Sequence, residues 1–158
     1  MRANIPKGMG GAQNMQQMIR QAQKMQEDMA AKQAEMEELL RKCMKAGALG
    51  LSFGLIYPPG SYADTEEMIG LAKVVAQFGG LVTSHMRSES AKLIEATDEM
   101  LQVARASGVR MVISHHKATG GPMNWNKTAA TISMMERAIA EGLDVFCDQY
   151  PYTASATG

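Results

Sequence analysis

Two histidines close two short apolar runs, and their placement is where this sequence offers chemistry. The runs are Leu81-Val-Thr-Ser-His85, followed by Met86-Arg87, and Arg110-Met-Val-Ile-Ser-His115, followed by His116-Lys117. A run of about four to eight apolar residues bounded by turn signals reads as a buried strand. A helical stretch lies between them, so each strand carries a histidine at its C-terminal end, where parallel α/β folds hold their sites. Neighbouring strands lie about 4.8 Å apart, near enough for two imidazoles to share one ion. Neutral imidazole is a common zinc ligand, and catalytic zinc takes about three protein ligands and an exchangeable water. The plainer alternative is that each histidine hydrogen-bonds locally at its strand end. Two at equivalent ends, with Lys117 and Arg87 beside them, favour the shared ion.

The elements that must position this pair follow in a regular order. Ala48 to Tyr57 reads as a strand, turned sharply by Pro58-Pro59-Gly60. Asp64 with Glu67 three residues on has capping-box spacing, opening a helix through Leu71, Val74, Val75 and Phe78 to Gly79-Gly80. A helix from about Ser90 to Ser107 turns Leu93, Ile94, Met100, Leu101 and Val103 inward and closes at Gly108. After a loop at Ala118–Asn126, a helix from about Lys127 to Ala140 precedes a last strand, Leu143–Asp148, and a loop from Gln149 to Gly158. Strands recurring every thirty residues or so, with helices between, mean parallel strands and right-handed crossovers. The expected fold class is α/β. Four such units make half a (β/α)₈ barrel or most of a small open sheet, and the reading adopted is a partial TIM barrel.

The N-terminal third differs. Eight of fifteen methionines precede residue 45, and no aromatic residue comes before Phe53. Residues 1–13 read as a flexible lead. From Asn14, Met15, Met18, Ala22, Met25, Met29, Met36 and Leu39 recur at spacings of three and four, with Lys32 taking one position. Such a seam describes a long amphipathic helix lying on something apolar, or one that self-associates as a coil. The expected domains are 1–38, a lead and methionine-rich helix, and 39–158, the α/β part.

Composition narrows the partners. Sixteen basic residues balance sixteen acidic ones, and residues 1–38 carry five of each, which argues against nucleic acid. Cys43 and Cys147 make no disulfide framework, and no run reaches the ~18–20 apolar residues of a membrane span. A soluble cytoplasmic protein is expected.

Two resemblances follow from these residues. Met1-Arg-Ala-Asn-Ile-Pro-Lys-Gly-Met-Gly-Gly11 and Met18-Ile-Arg-Gln-Ala-Gln-Lys-Met-Gln-Glu-Asp-Met29 resemble the start of YbaB-type bacterial nucleoid-associated proteins, small dimers that bind DNA. This likeness stops near residue 38, without the sheet that should follow. It implies a fused helix, an artefact of assembly or cloning at the join, or a non-enzymatic DNA-binding or dimerisation module.

The second is broader. Gly47-Ala-Leu-Gly-Leu-Ser-Phe-Gly-Leu-Ile-Tyr57-Pro-Pro-Gly60, Ser84-His85-Met-Arg87-Ser-Glu89, Ser114-His115-His116-Lys117 and Asp148-Gln-Tyr150-Pro-Tyr152-Thr-Ala154 resemble the D-aminoacylase (N-acyl-D-amino-acid deacylase) family of metal-dependent amidohydrolases. The resemblance implies zinc as cofactor, His85 and His115 as metal ligands, and Tyr57, Lys117 and Tyr150 as contacts to a small N-acyl-D-amino acid. It implies a packed or hydrogen-bonded His116, and hydrolysis of an N-acyl amide. The family's His-x-His pair, metal-binding cysteine and catalytic aspartate have no counterpart among these motifs, so the chain reads as an inactive fragment. Asp148 reads as the only nearby carboxylate, Cys147 is not a substitute ligand, and Ala156 stands where the family tends to have serine.

Overall fold

The computed structural model describes residues 10–154; the first nine residues of the expected lead, and Ala156, lie outside the described residues. Helix α1 (Gly10–Lys45) starts earlier than expected and runs unbroken past residue 38. The chain divides into two compact units between Met36 and Glu37. In the first, Met15, Met18, Met25 and Met29 are exposed along the helix at 58–68%.

The second unit is the α/β part. Strands β1 (Gly50–Gly54), β2 (Leu81–His85), β3 (Arg110–Ile113) and β4 (Val145–Cys147) form one parallel sheet in sequence order. Helices α2 (Thr65–Gln77), α3 (Leu93–Ser107) and α5 (Lys127–Ala140) supply the crossovers. A short α4 (Pro122–Trp125) interrupts the expected loop, with proline at the start of the helix, where its missing N–H costs nothing.

Local chemistry explains the boundaries. Asp64 accepts a 2.8 Å bond from the Glu67 N–H, giving α2 its start. Gly108, at φ 70°, ends α3 in the left-handed conformation, its N–H reaching the Ala104 carbonyl at 2.8 Å. The strands are shorter than expected: Leu55 and Ile56 already belong to a turn, followed by a 3₁₀ turn at Gly60–Tyr62.

One row across the sheet, Phe53, Ser84 and Ile113, is buried with Leu93, Met100, Val103 and Met111 in the core. Each such apolar side chain contributes about 1.5–3 kcal/mol by leaving water. The neighbouring row, Ser52, Thr83, Val112 and Phe146, is half-buried or exposed. His85 shares this less buried face, since alternate residues of a strand point the same way. Side-chain direction along β2 therefore aims His85 away from the helices.

Candidate metal and substrate site

A cavity of about 630 Å³ opens at the C-terminal ends of the strands. That volume suits a small organic ligand. Its walls include Tyr57, His85, His115, Lys117 and Tyr150, so the five residues singled out from sequence meet in one place. Glu89, Thr119 and Tyr152 also line it, and sequence reasoning gave none of these a role.

The histidines are presented differently. His85 ends β2 in regular extended geometry. His115 lies two residues past β3 at φ 41°, left-handed backbone that a non-glycine residue adopts only when neighbours hold it. Asp148 supplies that hold: its Oδ1 accepts the His115 N–H at 2.5 Å, and its carbonyl accepts the His116 N–H at 2.9 Å. The turn swings the His115 ring across the mouth, 4.4 Å from the His85 ring between centroids at 42°. His85 Nδ1 and His115 Nε2 face each other closely.

His116 goes the other way. It is buried, its Nε2 lying 2.9 Å from Thr131 Oγ1. The Thr131 hydroxyl has the Lys127 and Thr128 carbonyls at 3.1 and 3.0 Å as acceptors, so His116 Nε2–H is the donor in this contact. Its Nδ1 is then a buried acceptor without a partner. Burial pushes the His116 imidazole below its ordinary pKa; the Glu89 carboxylate opposes this and the Lys117 ammonium adds to it.

Glu89 lies at the centre of the polar wall. Its Oε1 is 2.7 Å from His115 Nδ1 and its Oε2 is 2.6 Å from Lys117 Nζ. Lys117 Nζ also lies 3.2 Å from the His115 carbonyl and 5.4 Å from the centroid of the Tyr150 ring. Tyr57 meets His85 edge to face, with centroids 6.3 Å apart at 68°. Asp148 is therefore not the only carboxylate near the pair, and the signal for the other stood four residues after His85.

Arg87 does not join this site. Its Nε lies 3.0 and 2.8 Å from the Glu99 carboxylate oxygens, its Nη1 donates to the Ser61 carbonyl at 2.9 Å, and its Nη2 to that of Ala63. Expected beside the histidines, it instead ties the loop after Tyr57 to α3. Cys147 is exposed, and burial of its sulfur, then Asp148, pushes its thiol pKa up.

The His85 Nδ1 and His115 Nε2 nitrogens share a close hydrogen-bond contact, and neutral imidazole nitrogens of this kind are suitable zinc donors once the shared proton is displaced. Among the described residues, no group of three or more histidine, cysteine, aspartate or glutamate side chains is arranged to hold a metal. The described residues thus offer two such donors at this point, His85 and His115. No described helix is long and apolar enough to cross a membrane.

The chain is homologous to an N-acyl-D-glutamate deacylase of Alcaligenes xylosoxydans xylosoxydans, 47% identical over 128 residues, 81% of this chain. It is also homologous to a D-aminoacylase of the same organism, 39% identical over 124 residues, 78% of this chain. It spans about a quarter of these relatives' length, 26% and 25%. Among solved structures, N-acyl-D-glutamate deacylase from Bordetella bronchiseptica, complexed with zinc and a phosphonate inhibitor mimicking the tetrahedral intermediate, superposes with a TM-score of 0.76. It is 41% identical, with 78% of this chain and 26% of that one covered. A D-aminoacylase structure that defines a novel subset of amidohydrolases gives a TM-score of 0.75 at 36% identity, over 80% of this chain and 26% of its own. These neighbours are amidohydrolase TIM barrels, and the four-stranded α/β sheet matches part of them. No family model matches the chain.

Proposed function

We propose that this chain forms one wall of a zinc-dependent deacylase site for N-acyl-D-amino acids. In this reading His85 and His115 are two of the metal ligands, and Lys117, Tyr57 and Tyr150 receive the substrate. The observation that carries it is the convergence of His85 Nδ1 and His115 Nε2 inside a cavity that also holds a lysine and three tyrosines. When bound, zinc supplies Lewis acidity toward an amide carbonyl and a nucleophile from water at neutral pH.

The chain's own residues do the rest. Lys117 offers its ammonium to a ligand carboxylate, although Glu89 already occupies part of that charge. Tyr57, beside His85, flanks the space before the histidines, and Tyr150 screens Lys117 from one side. Neither nearby carboxylate is free to act as a general base: Glu89, in the cavity wall, is held by His115 and Lys117, and Asp148, behind the turn, by the His115 N–H. The 158-residue chain is therefore expected to bind zinc without turning over substrate.

Zinc titration of the full chain and of His85→Ala tests the metal reading; no binding by the wild type overturns it. An assay on N-acetyl-D-methionine and N-acetyl-D-glutamate with added zinc tests the second part, and zinc-dependent turnover refutes it.

Residues 1–38 form a separate module in this reading, supported by the division of contacts between Met36 and Glu37. The exposed methionine seam supports self-association of that helix, and its balanced charge offers duplex DNA no footprint. The exposed free thiols Cys43 and Cys147 suit a reducing compartment such as the cytoplasm.

A further inference from the structure

We infer that Glu89 is the positioning residue of the histidine pair: its carboxylate keeps the His115 proton on Nδ1 and so leaves the Nε2 lone pair facing His85. The inference rests on the metal reading above for its purpose, but not for its geometry. His115 Nδ1 has two polar neighbours, Glu89 Oε1 at 2.7 Å and Lys117 Nζ at 3.0 Å. They make opposite demands. A lysine ammonium would donate to Nδ1 and drive the ring proton to Nε2, where it would be donated to His85 Nδ1 and leave Nε2 without a lone pair for a metal. The carboxylate accepts from Nδ1–H and does the reverse.

Distance and alternatives decide between them. An unprotonated Nδ1 at 2.7 Å from a carboxylate oxygen sets two acceptors against each other with no proton between them. Lys117, by contrast, has other acceptors at hand: Glu89 Oε2 at 2.6 Å and the His115 carbonyl at 3.2 Å. Glu89 thus wins the contact and also draws Lys117 toward its second oxygen.

The backbone that carries this carboxylate is itself held in place. Thr119 donates to the Glu89 carbonyl through its N–H at 2.6 Å and its hydroxyl at 3.1 Å, tying the loop after β2 to the loop after β3. The side chain is 14% exposed. A carboxylate behind a ligating histidine is a general way to fix tautomer and ring orientation, and removing it lowers metal affinity about 10–100-fold.

The test uses the full chain, metal-free, above pH 8, with long-range proton–nitrogen NMR correlations of the His115 ring. The expected wild-type result is Nδ1–H. In Glu89→Ala, Lys117 becomes the donor and the proton moves to Nε2; in Glu89→Gln, whose amide oxygen still accepts, it stays on Nδ1. Zinc affinity, measured by competition with a chromogenic chelator, falls about 10–100-fold in Glu89→Ala. Nε2–H in the wild type, or no change in Glu89→Ala, overturns the inference and leaves the metal reading standing. A wild type with Nδ1–H that binds no zinc overturns the metal reading and leaves the Glu89 geometry intact. The wild-type spectrum decides even if Glu89→Ala fails to fold.

Discussion

Replacing Arg87 by alanine removes one planar cation from three acceptors on two segments, the loop after Tyr57 and α3. Glu99 on α3 loses two N–H contacts, at 3.0 and 2.8 Å, and the Ser61 and Ala63 carbonyls lose one donor each. Breaking a fully buried pair costs about 3–5 kcal/mol, but the two side chains are 27% and 16% exposed, so water recovers part of that. Thr65 Oγ1 also remains 2.9 Å from Glu99. The balance is a loss of about 2–3 kcal/mol, near the upper range for a hydrogen bond to a charged group. For a chain of this size that lowers the Tm by about 5–10 °C. Urea denaturation of wild type, Arg87→Ala, Glu99→Gln and the double variant measures it, with an expected coupling of about 1–2 kcal/mol. Arg87→Lys recovers less than half, since one ammonium cannot span the three acceptors. Amide exchange at Ser61–Ala63 also quickens in Arg87→Ala, because these residues lose their tie to α3. A loss under about 0.5 kcal/mol, or strict additivity with Glu99→Gln, refutes the reasoning.

Thr131→Val strands the buried His116 Nε2–H and is expected to cost about 1–3 kcal/mol in thermal or urea unfolding. Gly80→Ala places a methyl 2.9 Å from the Leu49 carbonyl oxygen and 2.9 Å from Val75 Cγ1, so the backbone must shift. The expected loss is about 1–3 kcal/mol, read as a lower urea midpoint. Met25→Glu with Met29→Glu leaves the unfolding of the α/β part unchanged, since both side chains are exposed. If the helix self-associates, sedimentation equilibrium shows the substituted chain lighter than the wild type.

What could be read from the sequence follows what is local. The Asp64 cap, the glycine stop at Gly108 and the helix at Lys127–Ala140 depend on neighbouring residues, and the structure has them as expected. The strand ends do not match: the apolar run through Tyr57 looks extended, but the turn begins at Leu55. Glu89 was missed for a different reason. Its partner His115 is 26 positions away, and no periodicity reports a contact made between two loops. Arg87 shows the converse error. It has the type and position of a site residue, but past the end of β2 strand alternation no longer fixes direction, and the side chain turns toward Glu99.

The turn after β3 explains why consecutive histidines serve opposite purposes. Left-handed backbone at His115 sends the first ring into the cavity and leaves the second to enter the core against Thr131. Asp148, at the end of β4, holds that backbone, and Glu89, just past β2, holds the ring. The geometry of His115 thus depends on carboxylates from two neighbouring strand ends, available only because β2, β3 and β4 are adjacent and parallel. It follows that both carboxylates are committed to posture, Glu89 from the cavity wall and Asp148 from behind the turn. A site built this way presents nitrogen donors and a lysine with precision, and under the proposed function any proton transfer falls to a group other than these two.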